Sequence, residues 1–203
     1  MKKLLSFFAI PILALGLFSL SSCGENRPQK KEIAQTSEGL LKDTSSKALE
    51  ALKDKNFGYL STLAHPEKGI RFTPYAHIDP EKDVVLKANE IKNISADSKS
   101  FLWGSYDGSG EPMNLSFGEY FGRFVWNHDF SQAEKSAKNE FLGKGNTTNN
   151  LKEVYPDAQF YEYHFSGFDP QFEGMDWASL RLVFEEYNDK WYLVGIIHDQ
   201  STI

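Results

Sequence analysis

The densest run of side chains able to bind or react is Phe168-Asp169-Pro170-Gln171-Phe172-Glu173-Gly174-Met175-Asp176-Trp177, ten residues carrying three carboxylates and three aromatic rings. Carboxylates accept hydrogen bonds and rings offer flat apolar faces, so the mixture suits a sugar, an amine or a peptide surface. The run joins two strand-like segments that a turn of roughly two to five residues could connect, and longer connections are more often functional. Asp169, Asp176 and Trp177 are therefore candidate ligand-binding residues, the structural alternative being a loop whose rings close the end of a sheet. Trp103, Trp126, Tyr161 and Tyr163 could line a cavity with them or fill a core. His164 alternates with Glu162 on one face of its strand, while Tyr161, Tyr163 and Phe165 take the other. One His or Asp buried among rings suffices for general acid–base work, because burial shifts its pKa.

Other chemistry is sparse. The five histidines, His65, His77, His128, His164 and His198, show no pair at helix-face spacing, so no metal site is expected. His198 and Asp199 adjoin, but strand neighbours point to opposite faces and cannot orient one another. Asp107-Gly108-Ser109-Gly110-Glu111 brings two carboxylates around a flexible turn yet lacks the further oxygen ligands of a calcium loop. There is no His-Glu-x-x-His, no Gly-x-Ser-x-Gly and no Walker loop, and no cofactor is called for. The 203 residues, 40% hydrophobic and 14% aromatic, describe an ordinary globular chain. A net charge of −6, or −8 once Lys2 and Lys3 are gone, argues against a nucleic-acid partner.

Cys23 is the only cysteine, which excludes an internal disulfide and a Cys-based zinc cluster. It follows Met1-Lys2-Lys3 and an apolar run from Leu4 to Leu20, the pattern of a signal peptide over 1–22. Leu20-Ser21-Ser22-Cys23 resembles the lipobox of bacterial lipoproteins. The resemblance implies cleavage after Ser22, acylation of Cys23 and a lipid bilayer as partner, hence a protein anchored in the bacterial cell envelope on the extracytoplasmic side. Polar residues from Gly24 onward read as a tether, 24–32 clearly and 33–44 as either tether or helix, so the folded domain is placed at 45–203.

Ser46 is the expected N-cap of a first helix, and Phe57, Leu60 and Leu63 space a short second one that stops before Pro66. Ile70 to Ile78 reads as a strand broken by Pro74, hence an edge or bulged strand. Phe101 to Tyr106 is expected to run into the glycine turn, and Ser116 with Glu119 forms a capping box before an aromatic helical face. Residues 127–150 are the least legible. Gln159–Ser166, Ala178–Tyr187 and Lys190–His198 read as strands, the last two joined through Asn188-Asp189. That hairpin would pair Phe184 with Leu193 and Leu180 with Ile197. One face then carries Leu180, Leu182, Phe184, Trp191, Leu193 and Ile197. The other carries Arg181, Val183, Glu185, Tyr192, Val194, Ile196 and His198, a mixed surface that could line a groove.

Helices followed by an antiparallel meander imply an α+β domain with N-terminal helices on a curved, mostly antiparallel sheet. This order resembles the NTF2-like, or cystatin-like, fold. His65-Pro66-Glu67-Lys68-Gly69, Trp103-Gly104-Ser105-Tyr106 and Gly174-Met175-Asp176-Trp177 also resemble segments of uncharacterised bacterial lipoproteins and secreted proteins. The resemblance implies a pocketed α+β cone and supplies no catalytic residues. Three readings follow: a non-enzymatic domain binding a small ligand or an envelope protein; a pocket enzyme of lyase, isomerase or hydrolase type using a buried Asp or His; and a structural lipoprotein with no pocket.

Overall fold

The computed structural model describes residues 36–96 and 98–202; the leader, Cys23 and the tether to residue 35 lie outside the described residues. Thr36 accepts a hydrogen bond from the Gly39 amide at 3.2 Å and so caps α1, Ser37–Lys53. Leu41, Ser45, Ala48 and Leu52 recur every three or four residues and form its buried stripe. This corrects the expected cap, for Ser46 is inside the helix, its hydroxyl bonded to the Lys42 carbonyl; of the two alternatives left open for 33–44, the part over 37–44 is helix. Leu41, buried a full turn before Ser46, anchors the extra length.

Asn56 caps α2, Phe57–Leu63, which ends before Pro66 as expected. His65 then organises the turn, its Nδ1 accepting from the Glu67 and Lys68 amides. Gly69 must be glycine, because its φ is +76° and a Cβ there would fall 2.5 Å from the Leu86 carbonyl oxygen. β1, Ile70–Thr73, stops just before Pro74. It is not an edge strand: it lies between β2, Val84–Leu86, and the long C-terminal strand, and the proline stands outside the ladder instead of breaking it.

α3, Ala88–Asn93, leads to the hairpin of β3, Ser100–Ser105, and β4, Pro112–Ser116. The Ser116–Glu119 capping box forms as read and starts α4, Phe117–Tyr120, which runs on into a π-helical turn over Phe121–Val125. β5, Lys135–Lys138, and α5, Leu151–Val154, precede β6, Gln159–Phe165, β7, Ala178–Tyr187, and β8, Lys190–Gln200. The main sheet runs β2-β1-β8-β7-β6-β5, with only β1–β8 parallel. The fold is α+β, with α1, α2 and α4 packed against one face of a mostly antiparallel sheet.

Asn188 and Asp189, both at positive φ, make the expected two-residue turn, and Phe184 pairs with Leu193. Two residues on, the register shifts: Val183 pairs with Gly195, so Val194 is an extra residue and Leu180 meets His198, not Ile197. The bulge reverses the faces of β8 beyond Val194. Ile196 joins Leu180, Leu182 and Phe184 in the helix-side core, and His198 packs on Phe124 there, while Ile197 and Val194 join Val183 on the other side. That other side is no exposed surface, for Ile78, Leu151, Tyr155 and Phe160 close over it as a second apolar layer.

Candidate functional site

The residues singled out by sequence do not converge. In the 168–177 loop, Asp169 accepts from the Gln171 amide at 2.9 Å, capping a short turn, and Asp176 Oδ2 accepts from the amides of Phe168 and Asp169 at 3.0 and 2.7 Å. Two of the three carboxylates are thus engaged in holding the loop itself. Phe168 stacks on His128, and Trp177 lies against the backbone of Gly143 and Gly145. Tyr161 and Tyr163 face the helix side of the sheet, Tyr163 sharing a hydrogen bond with Ser45, whereas His164 faces the opposite side. Trp103 is buried on the β3–β4 hairpin, its indole N–H donating to the Leu115 carbonyl.

Beneath Gly143 and Trp177 is a buried polar network that sequence reading missed. Arg181, 0% exposed, donates from Nε to Glu162 at 2.7 Å and from Nη2 to Asp199 at 2.8 Å. Glu162 also accepts from the Gly143 amide at 2.8 Å and from the Ser179 hydroxyl at 2.6 Å. Because Ser179 gives its proton to Glu162, it must accept from His164 Nδ1, 2.8 Å away. That order is the reverse of a hydrolase triad, in which histidine takes the serine proton. Burial lowers the pKa of His164 and raises that of Asp199, the latter against the pull of Arg181. The network is framework: its groups are buried, and their mutual pairing offsets much of the cost of taking them out of water, although Arg181 Nη1 and Asp199 Oδ1 have no hydrogen-bond partner among the described residues.

The accessible chemistry lies elsewhere. Once Pro74 ends β1 the chain leaves the sheet and returns only at β2, and the intervening loop is stapled in place. The Arg71 guanidinium donates to the Tyr155 hydroxyl and the Asp79 carbonyl, both at 3.1 Å, and stands 3.6 Å from Asp83 Oδ2. Asn150 bonds both backbone groups of Ile78. Tyr75 accepts from the Asp107 amide at 3.1 Å, tying the loop to the glycine turn. Between loop and turn is a cleft of about 500 Å³ lined by Tyr75, His77, Asp79, Asp83, Trp103, Tyr106 and Asp107, among others.

Asp83 is the group in this cleft most suited to chemistry. Burial lifts its carboxyl from 3.8 to about 6, against the lowering effects of the Asp79 amide and of Arg71. Its Oδ2 takes the Asp79 amide at 2.8 Å, while Oδ1 makes no hydrogen bond among the described residues. Tyr120 lies under Trp103, the two rings stacked 3.7 Å apart. Its phenol is raised well above the usual range, by burial first and then by Asp83 and Tyr75, and its hydroxyl has no hydrogen-bond partner among the described residues. Of the sequence candidates only Trp103 belongs here. Asp83 immediately precedes a three-residue strand with no periodicity to mark it, and nothing local separates it from a surface aspartate.

A second cleft of about 400 Å³, lined by Lys55, Phe57, Ile94, Phe117 and Phe121 among others, is apolar apart from Lys55 and a few serines. Among the described residues no group of three or more His, Cys, Asp or Glu could hold a metal ion, and no helix is long and apolar enough to cross a membrane.

No protein-family model and no curated protein matches this sequence. Among solved structures it is similar to a domain from Xanthomonas campestris provisionally named a calcium/calmodulin-dependent protein kinase II association domain. The two are 12% identical over 81% of this chain and 86% of that one, with a TM-score of 0.34. It is also similar to a provisionally named dehydratase of the NTF2-like family from Streptomyces avermitilis, at 13% identity over 82% and 96% of the respective chains and a TM-score of 0.29. Likeness at that level carries no chemistry, and the α+β class follows from the chain's own topology.

Proposed function

We propose that this chain is the ligand-binding domain of a lipid-anchored protein of the bacterial cell envelope, and that the ligand sits in the cleft between the 74–83 loop and the 103–110 segment. The observation that carries the reading is Asp83: a carboxyl held near neutrality by burial, with one oxygen anchored and the other uncommitted, facing rings across a ready-made cavity. The lipid anchor rests on the leader and on Cys23. Helix α1 begins beside Trp191, whose indole donates to the Ser37 carbonyl, whereas the cleft opens past Thr73, which pairs with Ile197. Along β8 those positions are roughly 20 Å apart at about 3.3 Å per residue. Thr36 and the cleft are therefore on separate parts of the domain.

Mass spectrometry of protein extracted from its native envelope tests both parts. The mature chain should begin at an acylated Cys23, and Cys23→Ser should remain unprocessed; a mature N-terminus at Ser or Gly would remove the anchor. Wild type should retain a small molecule that Asp83→Asn loses. A wild-type protein that carries nothing, under conditions that preserve other envelope complexes, counts against the cleft.

The near-neutral Asp83 carboxyl also favours a second reading, a pocket enzyme in which Asp83 moves a proton. A retained substrate–product pair, in place of a single species, would select it.

A further inference from the structure

We infer that the cleft takes an organic cation: a compound whose protonated amine bonds to Asp83 and whose apolar or aromatic body lies against Tyr75, Tyr106 and Trp103. The inference rests on the cleft being the binding site and names what it binds.

Three carboxylates, Asp79, Asp83 and Asp107, line the cleft, and no lysine or arginine does. The cations behind it are committed. Arg71 is spread over Tyr155, Asp79 and Pro80 as well as Asp83, Lys82 pairs with Asp79, and Arg123 lies 5.2 Å from the Tyr106 ring centroid with its Nη1 donating to the Tyr106 hydroxyl. An anion entering the cleft would find carboxylates and no lysine or arginine among its lining residues. An ammonium meets the reverse: an uncommitted carboxylate oxygen, and aromatic faces whose negative π density attracts positive charge.

An ammonium has three N–H donors, and Asp83, which lines the cleft, offers it the oxygen that the Asp79 amide leaves free.

The test is calorimetric titration of the mature lipidated chain in phosphatidylcholine nanodiscs, with empty nanodiscs as the reference. The probes are phenethylammonium, its neutral analogue 2-phenylethanol and the anion phenylacetate. Phenethylammonium should bind at least tenfold more tightly than the other two. Asp83→Asn, checked for folding by circular dichroism, should erase that preference, and Tyr106→Leu should weaken phenethylammonium severalfold without touching a carboxylate. Equal binding of the three probes, or an unchanged preference in folded Asp83→Asn, overturns the cationic class while leaving the cleft reading to the retained-ligand experiment. Failure of all three probes to bind also overturns it.

Discussion

His198 and Asp83 make opposite demands on pH, and separating them is a direct check on how the two are packed. His198 is 0% exposed; its Nδ1–H donates to the Pro74 carbonyl at 3.0 Å, which leaves Nε2 to accept from the Asn127 amide at 3.3 Å. Burial pushes this imidazole from 6.5 to about 4, so it stays neutral in the fold while the unfolded chain protonates. Its contribution to stability is whole above pH 6.5 and is lost as pH falls toward 4, a difference of about 3 kcal/mol at roughly 1.4 kcal/mol per pH unit. Asp83 runs the other way. Its folded pKa of about 6 exceeds the ordinary 3.8, so its contribution is whole below 3.8 and is lost as pH rises through 6, again by about 3 kcal/mol. In wild type the two nearly cancel between pH 4 and 7. His198→Gln, which keeps a donor for Pro74, should gain about 3 kcal/mol relative to wild type on going from pH 7 to 4, and Asp83→Asn should lose about as much. Urea denaturation followed by circular dichroism at pH 7, 6, 5 and 4 measures this, with each variant referred to its own value at pH 7. Carboxylates common to all three proteins drop out of the comparison. Profiles parallel to within about 0.5 kcal/mol would show that neither group is buried as described, and the assignment of β8 faces would fall with them.

Phe184 is fully buried in the helix-side core, so Phe184→Ala should cost about 3 to 5 kcal/mol in urea denaturation, and a loss below about 0.5 kcal/mol would place it at the surface. Glu162→Gln removes the charge that Arg181 Nε faces and should cost about 3 to 5 kcal/mol by the same measurement; a neutral result would mean that solvent reaches the network. Asp176→Asn should speed hydrogen exchange at the Phe168 and Asp169 amides while leaving β7 and β8 protected, and unchanged exchange at those amides would remove Asp176 as the fastener of the loop.

What could be read without the fold is what a few neighbouring residues decide among themselves. The Ser116–Glu119 box and the Asn188-Asp189 turn close hydrogen bonds within four or five residues, the stop before Pro66 is a steric effect between neighbours, and each is found where it was read. The α+β class was legible for the same reason, since periodicity fixes the type of each long element. The start of α1 was misplaced because Thr36 and Ser46 are equally good caps locally, and only Leu41, packed against the rest of the core, selects the earlier one. Pro74 looked like the mark of an edge strand, but a strand's neighbours are set by distant segments, here β2 and β8.

The bulge at Val194 shows most plainly what tertiary structure alone decides. Alternation along a strand carries no record of an inserted residue, so counting forward from the turn put Ile197 on the wrong face and His198 beside Arg181. Arg181 was read as surface because arginine usually is; its burial depends on α5 and the 139–158 segment closing over Glu162 and Asp199. Asp83 follows the same rule: the chain specifies a carboxylate, and its proton affinity is set by how much water the surrounding loop and rings remove, a property of surfaces brought together from residues 74 to 120.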